Sequence, residues 1–297
     1  MKKSSPSSDL INNKLCVCKN KLNKKINFGN LPIVNNYTSK INLKKYPVII
    51  SQCEKCQLIH LKYTLPDKLL FPSNYSYLSG HSKEKINNFK SILHKIVKFS
   101  KKNDPKILDI GSNDGAFLEL VKNKYSKVLG IEPTNCANIT ISKGIDTIKS
   151  PLNFQLAKKI VNKYSKFDFI IGTNILAHTN NIGGILKSIK LLLNKKGLSI
   201  IEVQNLYDLI SQKGFDSIHH EHKAYFTLSS IMKVMKNFGL YIFDAEKLSV
   251  HGGILRVYVS PNKKKIRKRL KKILNKEQIT KVENKFYKEM KELGYIE

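Results

Sequence analysis

Positions 219–222 read His-His-Glu-His, inside the stretch FDSIHHEHKAYF at 215–226. Three imidazoles and a carboxylate this close together serve as a metal site, as an acid–base site, or as a polar loop without chemistry. A zinc-hydrolase site fits poorly. Side chains of an extended segment alternate direction, so only His220 and His222 would share a side. Acid–base work fits better, because imidazole is the side chain that titrates near neutral pH and can take a proton there. A further histidine, His178, lies in the loop after an apolar run, where a ligand over a strand tip would meet it.

Two cysteine pairs offer different chemistry. Cys53-x-x-Cys56 has the spacing that lets two thiolates reach one tetrahedral ion. With Cys16 and Cys18 as the other two ligands, the set predicts a structural Zn²⁺ site closing a region too poor in apolar periodicity to fold on its core. The alternative keeps Cys16 and Cys18 as buried thiols and completes the set with His60. Cys136 stands alone near a helix start and reads as a small buried residue. The third motif is LDIGSNDG (108–115), at a strand-to-helix turn, where open α/β sheets bind ligands. Gly111 and Gly115 let the backbone approach a ligand, and Glu132, at the tip of the next strand, is set to accept from a ribose diol. The loop lacks the middle glycine of the dinucleotide fingerprint and carries Asn113 and Asp114 instead. Together with Asp109, these groups suit the ammonium and sulfonium of S-adenosylmethionine, whereas carboxylates would repel a pyrophosphate.

The elements that carry these motifs follow from periodicity. HSKEKINNFKSILHKIVKFSKK spaces Ile86, Phe89, Ile92, Leu93, Ile96 and Val97 as an amphipathic helix. Short apolar runs at 106–111, 127–133, 166–174 and 198–205, with a weaker one at GIDTI, alternate with helical stretches, and two more strands follow at 240–246 and 254–259. That alternation predicts an α/β domain with a mostly parallel sheet covered on both faces, over 71–262. Residues 14–70 read as a small zinc-binding domain, 1–13 as a frayed start, and 263–297 as one or two charged helices with a solvated face. The net charge is +31, but three arginines (Arg256, Arg267, Arg269) among 53 basic residues leave 50 lysines. Base-reading surfaces lean on arginine, so a nucleic-acid partner is not expected. No apolar run reaches the roughly 20 residues that span a bilayer, and the first ten residues lack the apolar core of a signal peptide, so a cytoplasmic location is expected.

The blocks YPVIISQCEKCQLIHL, YSYLSGHS, ILDIGSNDGAFLE, GIEPTN, TNILAHTNN, FDSIHHEHKAYF and HGGILRVYV, in that order, resemble the zinc-containing sugar C-methyltransferases from about residue 14 to 260. Those enzymes methylate a carbon next to the keto group of nucleotide-linked deoxysugars. The resemblance implies a Rossmann-like S-adenosylmethionine-dependent methyltransferase domain behind a small zinc domain, with a nucleotide sugar as substrate. A carbon attacks a sulfonium methyl only as an enolate, so an α-proton has to leave first. The implied base is His222, oriented by Glu221, with His178, His219 and a tyrosine of the Tyr75/Tyr77 pair around the oxyanion. The implied cofactor contacts are Asp109, Gly111, Asn113, Asp114, Gly115, Glu132, Pro133 and Asn174. Two features depart from the family. His219 stands where its motif has a tyrosine, and a second Rossmann-like lobe that helps hold the nucleotide is expected to be missing beyond the charged tail. Competing expectations are O- or N-methylation of a small metabolite, and a zinc-ribbon protein that binds nucleic acid.

Overall fold

Apolar residues fill both faces of the short central strands, the pattern of strands buried between two helical layers. The computed structural model describes residues 9–34, 43–72, 75, 77–280 and 282–294. It gathers these strands into one seven-stranded sheet: β1 (Ile107–Ile110), β2 (Val128–Ile131), β3 (Thr147–Ile148), β4 (Phe167–Thr173), β5 (Leu193–Gln204), β6 (Tyr241–Leu248) and β7 (Ile254–Ser260), in the order β6–β7–β5–β4–β1–β2–β3. The pairs from β3 to β5 are parallel, and β7 runs antiparallel to both β5 and β6. This is a Rossmann-like mixed sheet with a single reversed strand. β5 begins at Leu193, earlier than the apolar run suggested, because Leu193 already pairs with Phe167 across an irregularity in the register.

Period-two alternation sorts the two faces. Ile107, Ile171, Ile200 and Tyr258 pack against helices Lys83–Phe99 and Ala116–Lys122. Leu108, Ile110, Ile170, Ile201 and Val257 face Phe154–Tyr164, Ile182–Leu192 and Leu228–Lys236. The helices start at side chains that cap them: Ser82, Asn153, Asn181 and Thr227 each accept a backbone N–H of the first turn. The carboxyl ends of β1, β2, β4 and β5 therefore leave Gly111, Glu132, Asn174 and Asn205 along one rim, the place where such sheets receive ligands.

A second, four-stranded antiparallel sheet holds the cysteines. Strands Leu22–Pro32, Lys45–Cys53 and Ile59–Leu61 are joined by a distant fourth, Ala224–Tyr225, which pairs Ala224 with His60 and Tyr225 with Ile59. Ile11 and Asn12, within the stretch expected to fray, pair with Thr64 and Tyr63, while residues 1–8 lie outside the described residues.

The charged tail forms two helices, Lys268–Thr280 and Val282–Glu292, and it is docked. Leu270, Phe286 and Met290 are fully buried, the last two under the cysteine-bearing sheet. Arg269 forks onto the buried Asp244, and Glu277 accepts from Leu228 N at 2.8 Å and Ser229 N at 3.1 Å, capping helix Leu228–Lys236. The lysine-rich sequence concealed this because its few apolar positions are the ones that bind the body. Glu277→Ala should accordingly cost about 1–2 kcal/mol in denaturant unfolding, the loss of an acidic cap. A solvated tail would show no change.

Candidate active site

The histidine segment is fastened on both sides before any of its side chains act. Leu61 N donates to Lys223 O at 3.0 Å, Lys223 N donates to Ala177 O at 2.7 Å, and the buried Lys223 ammonium pairs with Asp67. Residues 219–222 do not run extended. His222 N donates to His219 O at 3.1 Å, closing a turn. The turn corrects the expected pairing of His220 with His222: it is His219 and His222 that share a side, with ring centroids 4.3 Å apart. His178 completes the group, 4.9 Å from the His222 ring. His220 points the other way, its ring Nε2 3.2 Å from Tyr46 O and its ring edge-on to Tyr46.

Hydrogen bonding decides which nitrogen of His222 is basic. Nδ1 lies 2.8 Å from Ser217 O, and a carbonyl can only accept, so Nδ1 carries the proton and Nε2 keeps its lone pair. The partner at Nδ1 is thus the Ser217 carbonyl, not the Glu221 carboxylate expected there. Glu221 is buried, and its charge acts on Tyr75 and Lys223. All three clustered imidazoles are held neutral. Burial pulls His222 below the usual histidine range against the pull of the Ser217 carbonyl. Burial and the His222 and His220 charges bring His219 down to about 3. Burial first, then the charges of His222, His219, Lys223 and Lys85, hold His178 well below the usual histidine range. The Nδ1 atoms of His178 and His219 are buried without a hydrogen-bond partner among the described residues.

Of the two tyrosines, Tyr75 is the one beside the cluster. Phe71 stacks edge-on against both Tyr75 (5.5 Å) and His178 (5.7 Å). Burial, with Glu221 next, raises the Tyr75 phenol far above its usual range, so it stays a donor at any working pH. Tyr77 is more exposed and sits at the cofactor loop, where its carbonyl accepts from Asn113 Nδ2 at 2.9 Å.

The glycine loop behaves differently from its sequence reading. Asn113 Oδ1 accepts from Ser79 N at 2.9 Å; Asp114 accepts from Ser79 Oγ at 2.7 Å and Gly80 N at 2.9 Å. Their side chains clasp the 77–80 segment instead of opening to a ligand. Gly115 has φ +75°, and a Cβ there would fall 2.6 Å from Thr140 Cγ2; at Gly111 (φ +75°) it would fall 2.8 Å from Ile175 Cγ2. Both glycines thus serve the turn's own packing. Glu132 accepts from Asn113 N at 2.9 Å and from Thr134 N and Oγ1 at 2.9 and 2.7 Å. Pro133 is exposed beside it. Asn174 has φ 63°, and its Oδ1 is buried without a partner. Burial first, and Glu132 second, push the Asp109 carboxyl up to about 8.

The four cysteines converge. The Sγ atoms of Cys16, Cys18, Cys53 and Cys56 lie within 4.8 Å of one another, with 3.5 Å between Cys16 and Cys56 and 3.4 Å between Cys18 and Cys53. The edge of a tetrahedral thiolate site with Zn–S near 2.3 Å is about 3.8 Å, so the donor set fits such an ion. Cys56, stabilised by the Cys16 thiol, is brought down to about 5. His60 stays outside the group, its Nδ1 donating to Leu61 O at 3.3 Å.

Three features escaped the sequence reading. Ser217 acts through a backbone carbonyl, which no residue type announces. Gln204, whose Oε1 is buried and unpartnered, ends β5, and a polar residue closing an apolar strand was the available signal. Lys85 is one of 50 lysines by type, but at 6% exposure it is buried on the inner face of its helix.

A protein-family profile described as a methyltransferase domain matches residues 84–244. Among curated proteins, the chain is 26% identical over 242 residues to the C-methyltransferase NovU of Streptomyces niveus, covering 80% of this chain and 57% of that protein. The chain thus spans a little over half the length of that relative. Similar solved structures include the magnesium protoporphyrin IX methyltransferase of Synechocystis PCC 6803 with bound SAH, at TM-score 0.48 and 14% identity over 61% of this chain and 83% of that one. Another is an S-adenosylmethionine-dependent methyltransferase of Clostridium acetobutylicum ATCC 824, at TM-score 0.46 and 14% identity over 60% and 92%. No helix among the described residues is long and apolar enough to cross a membrane.

Asp109 gives this rim a pH signature. Its folded pKa lies above the unfolded value near 3.9, so the protonated acid's stabilisation is complete below about pH 4 and is lost as pH rises through about 8. Asp109→Asn mimics the protonated form, so its melting temperature relative to the native protein should climb between pH 5 and 8.5. A constant difference across that range would mean the carboxyl is already ionised.

Proposed function

The chain belongs to the methyltransferase-domain family, and from that premise we propose that it is an S-adenosylmethionine-dependent C-methyltransferase acting on a nucleotide-linked keto-deoxysugar. The observation that carries the reading is the neutral His222 ring, pinned at Nδ1 by Ser217 and leaving Nε2 basic beside His178 and His219. Transfer to oxygen or nitrogen needs no carbon acid, whereas a carbon nucleophile needs a base of this kind. The 26% identity to a C-methyltransferase supports the same reading.

The strand-tip rim suits the cofactor's cationic half. Glu132 and Asn174 Oδ1, the latter without a partner among the described residues, are acceptors, as an ammonium requires, and a bound cation would favour the ionised form of the Asp109 carboxyl that burial otherwise holds protonated up to about 8. The contacts we assign are Asp109, Glu132, Pro133, Asn174 and the backbone at Gly111. Asn113, Asp114 and Gly115 act indirectly, by shaping the loop and holding segment 77–80. The cofactor supplies an electrophilic methyl group; the remaining work is the chain's own. His222 Nε2 takes the proton from the carbon beside the ketone. The Ser217 carbonyl favours the resulting imidazolium. Tyr75, protonated throughout, is a donor for oxygen. His219, where the resembling enzymes carry a phenol, offers a neutral ring N–H.

The thiol cluster is assigned to a structural Zn²⁺ held by Cys16, Cys18, Cys53 and Cys56. Its role would be to brace the sheet onto which Ala224–Tyr225 pairs, and so to hold the histidines in register.

The direct test incubates the protein with cofactor and a dTDP-linked 4-keto-6-deoxyhexose, reading the product by mass and carbon NMR. A new carbon–carbon methyl is expected, and an O- or N-methyl signal would transfer the chain to the competing class. His222→Gln should slow both methylation and solvent-deuterium uptake at the α-carbon by about 100-fold or more, the usual worth of a general base. S-adenosylhomocysteine affinity should stay unchanged. Undiminished exchange in that variant removes His222 from the role. For the metal, one zinc per chain is expected by atomic emission, with Cys56→Ser losing the zinc and lowering the melting temperature. A native protein that carries no zinc and melts the same with or without chelator would rule the assignment out.

A further inference from the structure

Where the cysteine-bearing sheet meets the start of helix Ile182–Leu192, the two leave an open cavity of about 240 Å³, many times what one water fills. It lies outside the imidazole cluster. His178 turns its ring to His222, whereas Thr179, the next residue, lines the cavity, as does Lys223, the residue after His222.

The polar side chains around this cavity have committed their donors to the protein. Asn13 Nδ2 donates to Leu61 O at 2.9 Å, and Asn180 Nδ2 donates to Leu65 O at 2.9 Å and to Asp67 Oδ1 at 3.0 Å. Both amides are left with their carbonyl ends. His60 Nδ1 donates to Leu61 O at 3.3 Å, and burial brings the ring down to about 4, so Nε2 carries a lone pair. His60 lines the cavity at 7% exposure, and its Nε2 is buried without a partner among the described residues. Such an acceptor calls for a donor that the chain itself does not bring.

Charge narrows the ligand. Among the described residues that line the cavity none is acidic, and the ammonium of Lys223 is paired with Asp67. The Asn181 side chain takes Gly184 N at 2.9 Å, so Ile182 and Gly183, which line the cavity, put the positive end of an 11-residue helix there. A cation is disfavoured by that helix end and by Lys223, and an anion by the lone pairs of His60, Asn13 and Asn180. Hydroxyls suit both, because each donates to a lone pair and accepts from an N–H. Leu15, Val17 and Leu58 add an apolar wall on which the C–H face of a ring can lie. We propose that this cavity is a second binding site, for an uncharged carbohydrate ring held through its hydroxyls by His60 Nε2 and the Asn13 and Asn180 carbonyls. The assignment is independent of which atom the enzyme methylates.

The test titrates the full chain, with S-adenosylhomocysteine present, with the methyl glycosides of glucose, galactose, mannose, rhamnose, fucose and N-acetylglucosamine, read by saturation-transfer NMR. At least one should bind with a Kd of about 1–10 mM, the range open to so small a ligand. His60→Leu should weaken that binding by about 5- to 10-fold, the loss of one buried acceptor. Leu15→Ala, at a position 54% exposed where folding is not at stake, should weaken it by about threefold. S-adenosylhomocysteine affinity should stay within about twofold in both variants, which reports that the fold is intact. If no glycoside binds at up to about 50 mM, the cavity holds solvent only and the proposal fails. Binding that survives both substitutions but is lost in His222→Gln puts the sugar in the candidate active site and overturns it as well. The same holds if phosphate or tetramethylammonium, and no glycoside, binds in a way that His60→Leu abolishes.

Discussion

Two residues of added strand hold the site together. Ala224–Tyr225 pair onto Ile59–His60, and through that pairing the histidine turn becomes an outgrowth of the cysteine-bearing sheet. Lys223, immediately before it, is tied by its backbone to Leu61 and Ala177 and by its ammonium to Asp67. The segment therefore cannot shift without breaking main-chain hydrogen bonds to two separate parts of the molecule. A small sheet with a modest core is a weak anchor on its own, and the zinc proposed for the four thiols that converge at one end of it would brace it. The proposed function runs through this edge, because a general base would have to be held to a fraction of an ångström to work.

Around that anchor, polar atoms are arranged with unequal satisfaction. In the glycine loop, Asn113, Asp114 and Glu132 spend their side chains on Ser79, Gly80, Thr134 and the Asn113 backbone, while Ser112 Oγ is buried without a partner among the described residues. At the rim beyond it, Asn174 Oδ1, His178 Nδ1, His219 Nδ1 and Gln204 Oε1 are likewise buried without a partner among the described residues. Buried polar groups normally find partners, and under the function proposed above a bound ligand would supply them at this rim. Burial penalises the charge on these imidazoles, with repulsion from neighbouring histidines added at His178 and His219, so they stay neutral.

Much of this was legible beforehand and some of it was not. The apolar runs at 106–111, 127–133 and 166–174 are β1, β2 and β4, since strand burial writes itself into adjacent residues. The cysteine spacing named all four thiols that converge. The histidine stretch was recognised as a site, but its pairing was misread. An extended segment would have put His220 with His222, and a turn of one hydrogen bond put His219 there instead. Gly111 and Gly115 were read as room for a ligand and turned out to be room for Ile175 and Thr140. The tail looked solvated because lysine outnumbers its anchors, yet Phe286 and Met290 lie fully buried.

By itself, the amino-acid order determined which elements form, which residue types could do chemistry, and the likeness to a methyl-transferring family. Those properties depend on neighbours within a turn or a strand, where periodicity and spacing act. Only the tertiary structure decided that a serine carbonyl orients His222, that Tyr75 and not Tyr77 stands by the cluster, and that Arg256 meets Glu202 and Asn88 in the buried layer under helix Lys83–Phe99. Each of these is a relation between groups far apart in the chain, created when strand addition and helix crossing bring them into one dry volume.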